Sequence, residues 1–200
     1  MLAAIVLAAG DSTRMGRPKA LLPDSDGRSF VARLVRTFGT AGVNHVFVVT
    51  GSLHAAIADA LNADQPPVTP TLVNNPQPAL GQVSSLWIGL DAATRAGAEA
   101  VLMTLVDIPL VRPSTVTQVI DAWRSTRAPI VRPAVGQRHG HPVLFDHSVF
   151  DALRHAPITE GARAVVHANR DRIVNVEVDD HGCLLDVDTP ADYDEVIGKS

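Results

Sequence analysis

Residues 2–10 read Leu2-Ala3-Ala4-Ile5-Val6-Leu7-Ala8-Ala9-Gly10. From Leu2 to Leu7 every residue is aliphatic, so neither face of a strand built from them would tolerate water. That is the pattern of a central strand in a parallel sheet, covered on both sides. The run also has the look of a secretion signal. It lacks a basic leading flank, however, and runs straight into Asp11 and Arg14, so a buried strand is expected instead.

The rest of the chain repeats this strand-then-helix unit. His45–Thr50, Ala100–Val106 and Ile173–Val178 are further apolar runs, and Thr71–Asn74 is a shorter one. Between them, apolar residues recur at helical spacing. Phe30, Val31, Leu34, Val35 and Phe38 follow a candidate N-cap, Ser29, and a second helix spans 53–61. Leu86, Leu90 and Ala93 mark a helix from near Ser84, and Val116, Val119, Ile120 and Trp123 mark one with Pro113 in its first turn. Helices at 147–154 and 161–168 precede the Ile173 strand, and a last helix starts at Pro190 behind Thr189, with Asp192 completing a capping box. Pro129–Arg132 and Pro142–Phe145 read as two strands around a Gly/His loop, an antiparallel addition. The alternation predicts a three-layer α/β fold, with a mostly parallel central sheet of about seven strands and helices on both faces. There is no internal repeat and no long linker, so residues 1–200 are expected to form a single domain.

Composition narrows the function. A chain of 200 residues with 46% hydrophobic and 19% charged content can bury a core and is not disordered. It carries 17 Lys+Arg against 21 Asp+Glu, a net charge of −4, which argues against nucleic acid or an anionic membrane as a partner. The charge is uneven: residues 1–176 hold 16 basic and 13 acidic side chains, residues 177–200 hold 1 and 8. A nucleotide held by a small basic loop therefore stays compatible. Fifteen cations are Arg; the two lysines are Lys19 and Lys199. The single Cys183 rules out an internal disulfide framework and a Cys-based zinc site. With no apolar run near the roughly 18 residues of a membrane span, a cytoplasmic protein is expected.

Ligands of open α/β sheets bind beyond the carboxyl ends of the strands. Three segments there carry the chemistry. The loop after the first strand, Leu7-Ala8-Ala9-Gly10-Asp11-Ser12-Thr13-Arg14-Met15-Gly16-Arg17-Pro18-Lys19, has small residues that admit a ligand to the backbone, then three cations. It has neither Walker A nor GxGxxG spacing. Asp107 ends the Ala100 strand, ahead of Ile108-Pro109, and offers hard oxygens suited to Mg²⁺ beside a phosphate; it is equally placed to be an ordinary turn residue. In Leu185-Asp186-Val187-Asp188-Thr189, alternation puts Asp186 and Asp188 on one side, next to a helix start.

These segments resemble, in order along the chain, the MobA-like NTP transferases, the molybdenum cofactor nucleotidyltransferases. Leu7–Leu22 is similar to the family's LAAGxSxRMGxPKxLL signature. Asn75-Pro76 with Gly81, Ser84-Ser85-Leu86 and Gly89-Leu90 is similar to its NP…G…SSL…GL segment. Asp107-Ile108-Pro109 resembles its DxP stretch, Gly140–Phe145 its GHPVLF motif, and Leu185–Tyr193 its DIDTPEDY close. The resemblance spans residues 2–194 and implies a Rossmann-like nucleotidyltransferase fold. Ala9, where guanylyl-transferring members tend to have Gly, and the GHPVLF motif lean towards the cytidylyltransferase branch; Gln82-Val83 departs from the family's usual Met-Ser.

The implied reaction transfers a nucleoside monophosphate, CMP from CTP, to the phosphate of molybdopterin or a related acceptor and releases pyrophosphate. Mg²⁺ is the implied cofactor, and a molybdoenzyme client is a conceivable protein partner. Leu7, Ala8, Ala9, Gly10, Ser12, Arg14, Lys19, Gly81, Ser84 and Ser85 are expected to bind the nucleotide, with the amides of 9–12 on the triphosphate and the two serines on base or ribose. Arg14, Lys19 and Asp107 are the expected catalytic group, Asp107 and Asp188 the metal pair, with Asp186 an alternative to Asp188. Arg138, His139, Gly140 and His141 are expected to bind the acceptor, the histidines through its phosphate. Two other classes remain: an NAD(P)H-dependent oxidoreductase, disfavoured by the missing GxGxxG, and a non-catalytic cofactor-delivery protein, which has no need of Lys19, Asp107 and Asp188 together.

Overall fold

A computed structural model describes residues 1–10, 12 and 14–197; Asp11, Thr13 and residues 198–200 fall outside the described set. The elements follow in the order β1 (Leu2–Ala8), α1 (Phe30–Thr40), β2 (Val46–Thr50), α2 (His54–Asp64), β3 (Thr71–Asn74), α3 (Gln82–Arg95) and β4 (Ala100–Leu105). Then come α4 (Pro113–Thr126), β5 (Ile130–Val135), β6 (Arg138–His139), β7 (Val143–Asp146), α5 (Phe150–Arg154), α6 (Ala162–Ala168), β8 (Ile173–Glu177) and α7 (Pro190–Val196).

All eight strands form one sheet in the order β3-β2-β1-β4-β7-β5-β6, with β8 also on β5. β1 pairs in parallel with β2 and β4, β2 with β3, and β5 with β8. β7 is antiparallel to both β4 and β5, and β6 to β5. The strand beyond the expected seven is β6, two residues of the Gly/His loop that fold back on Ala134 and Val135.

The apolar run of β1 is buried on both faces, as its composition requires. Ala4, Val6 and Ala8 join one core with α1, α2 and α4, while Ala3, Ile5 and Leu7 join a second core with α3, α5 and α6. The sheet is therefore the middle of three layers. α3 sits close against it: a Cβ on Gly89 would lie 2.6 Å from Ile5 Cγ2, so only glycine lets the helix approach this far. Helix starts follow local chemistry. Ser29 Oγ accepts from Ala32 N, and Thr189 and Asp192 form a reciprocal capping box on α7. Tyr193 then donates its hydroxyl to Pro23 O at 2.8 Å, tying α7 to the segment after the first loop. No helix among the described residues is long and apolar enough to cross a membrane.

β1 is also where the order of strands reverses across the sheet: β2 lies on one side of it and β4 on the other. Leu7 is in register with Leu105, and Val106 N continues the ladder to Leu7 O at 3.1 Å. The loops after β1 and β4 consequently emerge side by side, at a topological switch point.

Candidate active site

Lys19 lies in a short 3₁₀ turn, where its backbone N–H donates to Ser12 Oγ at 3.0 Å and anchors the far end of the first loop. Its side chain, 10% exposed, runs into the gap between the β1 and β4 loops. There Nζ donates to Asp107 Oδ2 at 3.0 Å and, by a short contact, to Asp188 Oδ1. Asp188 reaches the site because Val187 N donates to Asp107 O at 2.8 Å, which lays the 185–189 segment beside the end of β4. Arg14 closes the group from solvent, Nη1 to Asp188 Oδ2 at 2.8 Å.

The electrostatics follow from this packing. Burial works against the Lys19 ammonium, but the hydrogen bonds to Asp188 and Asp107 outweigh it and raise its pKa above the ordinary lysine value. The same Lys19 contact holds Asp188 below the usual carboxylate range. Asp186 moves the other way: desolvation, then the charges of Asp107 and Asp188, push it up. Asp188 therefore holds its negative charge more firmly than Asp186. Asp107 Oδ1 is buried with no hydrogen-bond partner. A buried carboxylate oxygen without a partner suits a hard divalent cation, and Asp107 and Asp188, joined through Lys19, are the residues that could hold one.

Two adjoining cavities open at this point. The smaller, about 240 Å³, is lined by Leu7, Ala9, Gly10, Ser12, Lys19, Gly81, Ser85 and Asp107, together with Pro78, Gln82, Leu105 and Val106. Most of the expected nucleotide residues are thus brought together, and Gly81, Gln82 and Ser85 bring the start of α3 to the same wall. Three are placed differently. Ala8 is buried at the end of β1, and Arg14 stands outside as the partner of Asp188. Ser84 is turned inward: its hydroxyl donates to Gly81 O at 2.8 Å and accepts from Asn75 Nδ2 at 2.9 Å. Ser84 thus shapes the Gly81 turn, with its hydroxyl already engaged within the fold. The same Asn75 amide donates to Ser85 Oγ.

The larger cavity, about 770 Å³, shares Leu7, Gln82 and Leu105 with the first and extends along the sheet beneath α6. His139, Gly140 and His141 line it; Arg138 does not. Gly140 is there because Cys183 packs behind it: a Cβ would sit 2.4 Å from Cys183 O. His141 Nδ1 donates to Met103 O at 3.4 Å, since a carbonyl can only accept. Burial pushes His141 below its ordinary value, against the Met103 bond and the Asp107 charge. With Nδ1 donating to Met103 O, Nε2 is the ring nitrogen left to meet a ligand. Desolvation and the neighbouring Arg132 also lower His139. The cations of this cavity are instead Arg132, Arg163 and Arg170, none of which belongs to a sequence motif.

The MobA-like NTP transferase domain profile matches residues 4–173. The chain is 33% identical over 138 residues to a "probable molybdenum cofactor guanylyltransferase" of Mycobacterium avium; the match covers 69% of this chain and 66% of that relative, just under two thirds of its length. Among solved structures, Rv0371c from Mycobacterium tuberculosis H37Rv is similar at TM-score 0.80 and 29% identity, covering 98% of each chain. A structure of Rv0371C in complex with manganese is similar at TM-score 0.76 and 25% identity, over 100% of this chain and 99% of the other.

Proposed function

Because the chain belongs to the MobA-like NTP transferase family, we propose that it transfers a nucleoside monophosphate from an NTP to the phosphate of a molybdopterin-type acceptor, releasing pyrophosphate. The observation that carries this is Lys19 set between Asp107 and Asp188 at the wall of the smaller cavity, which the larger one adjoins at Leu7, Gln82 and Leu105. One cavity suits the nucleotide and the other the acceptor.

A phosphate monoester is already an anionic nucleophile at neutral pH, so no base-activated side chain is needed. The barrier comes from bringing two anions together and from charge growing on the departing pyrophosphate, and it is lowered by positioning and fixed charge. Asp107 and Asp188 would hold Mg²⁺, which supplies charge neutralisation on the phosphate oxygens. Lys19 then directs its ammonium at the triphosphate, and Arg14, released from Asp188, offers its planar fork to a phosphate. The amides around Ala9, Gly10 and Ser12 and the start of α3 hold the remaining oxygens. The neutral Nε2 of His141 accepts a hydrogen bond from the acceptor body.

CTP is the proposed donor. Ala9 lines the small cavity, and a glycine at this position would leave more room for a purine. The relative named as a guanylyltransferase makes GTP the competing donor. The test is to incubate the protein with Mg²⁺, molybdopterin and each NTP in turn, and to measure pyrophosphate. Release with CTP supports the proposal; release with GTP alone moves the assignment to guanylyl transfer; no release with any NTP removes transferase activity. Oxidation of NADPH in the same assay would favour the oxidoreductase class.

A further inference from the structure

The larger cavity has an apolar floor and a cationic far end. Met103, Val143, Phe145 and Ile173 come from one face of the sheet. Arg132 belongs to that same face, two residues from buried Ile130, where alternation calls for an apolar side chain. It is half-buried, its Nε donates to Asn175 Oδ1 at 2.8 Å, and among the described residues it has no carboxylate partner. Desolvation alone lowers its pKa, with no anion to offset it. A guanidinium placed in a partly apolar cavity without a counterion is costly unless a ligand supplies one.

Two further arginines face the same space. Arg163 and His167 lie one turn apart on α6, and Arg170 follows the helix. Arg163 has no ion pair among the described residues, and Arg170 has only a solvent-exposed one with Asp171 at 3.8 Å. Glu160 is the single carboxylate among the lining residues. The sheet register gives the depth. Leu105 marks the mouth shared with the nucleotide cavity, and the pairings of Ile130 with Phe145 and of Phe145 with Val101 put Arg132, two residues on from Ile130, level with Met103. Arg132 therefore lies two residues of β4 away from that mouth and two strands across the sheet, about 7 Å along the strands and about 10 Å across them.

We propose that Arg132, Arg163 and Arg170 form a second anion-binding end of this cavity, so that the acceptor is a phosphomonoester carrying a further anionic group remote from its reacting phosphate. This rests on the assignment of the larger cavity to the acceptor. Met103, Val143 and Phe145 would lie under an apolar or planar body between the two charged ends. The nucleotide end contributes none of these contacts, so acceptor recognition and nucleotide recognition separate.

The experiment uses Arg132→Gln, Arg132→Lys and the Arg163→Gln/Arg170→Gln double variant. With molybdopterin as acceptor, both Gln variants should raise the acceptor KM by about 10- to 100-fold, the range for a lost charge-assisted hydrogen bond, with kcat within a few-fold and nucleotide affinity unchanged. Arg132→Lys should recover part of the loss. An acceptor KM within twofold of wild type in both Gln variants overturns the proposal. A second arm needs no turnover: dephosphorylated molybdopterin, which lacks the reacting phosphate, should bind wild type at least tenfold tighter than the Gln variants. Equal binding overturns the second anion site even where pyrophosphate is released. Absence of pyrophosphate from wild type with every NTP removes the transferase function, and the binding arm still judges the site.

Discussion

Lys19 is a cation whose counterions come from 88 and 169 residues away, and both carboxylates depend on it in turn. Its single Nζ meets both Asp107 and Asp188, whereas a guanidinium would present its charge as a wider planar fork with a different geometry. Lys19→Arg is expected to reduce kcat by on the order of 100-fold although the charge is kept; a variant with wild-type kcat would show that any cation suffices. Asp107→Ala should abolish turnover, a loss of at least on the order of 10²-fold, with a melting midpoint close to wild type, because Lys19 keeps Asp188. Asp24 is a structural counterpart away from the site. Its buried carboxylate accepts from Arg33 Nη1 at 2.9 Å and from the N–H groups of Asp26 and Arg28, and these contacts outweigh burial and lower its pKa below 3.8. A lowered folded pKa means that Asp24 contributes its stability above the ordinary carboxylate value and loses it as pH falls through the lowered one. Asp24→Asn should cost about 3 kcal/mol at pH 7, and the difference from wild type, followed by denaturant titration, should shrink below about pH 4. A constant difference down to pH 2 would contradict this.

At the scale of elements, periodicity was enough wherever a segment buries one coherent face. β1, α1, α4 and the capping box of α7 lie within a residue or two of where the apolar spacing and cap residues put them. Less legible was the hairpin region. Gly140 reads as a loop glycine in a binding motif, yet its lack of a side chain is demanded by Cys183, 43 residues further on and crossing behind it. Gly140→Ala must displace that backbone, so a loss of about 2 kcal/mol is expected, seen as a fall of about 4–8 °C in melting midpoint. An unchanged midpoint would mean that the segment yields freely. Arg132 did carry a sequence signal: a charge at the parity of Ile130 within an apolar strand. Arg163 and Arg170 carried none, because exposed arginines on a short helix are common.

The whole molecule joins two halves through the sheet, and the site lies where those halves meet. A ligand that binds only the assembled state stabilises all of it: at 100 times its Kd, by about 2.7 kcal/mol. Mg²⁺ with the correct NTP should therefore raise the melting midpoint by about 5–11 °C. The same NTP with chelator, or with Asp107→Ala, should give a clearly smaller rise; an equal rise would remove the metal from nucleotide binding. By itself the sequence determined the α/β alternation, the central place of β1, and the loops that carry Lys19, Asp107 and Asp188. These depend on local periodicity and on residue chemistry, which a linear string records. Only the tertiary structure decided that Lys19 bridges both aspartates, that Ser84 turns inward, that burial pushes His141 below its ordinary pKa, and that three arginines outside any motif share one cavity. Each of those follows from strand register and burial, which bring together residues that the chain keeps far apart.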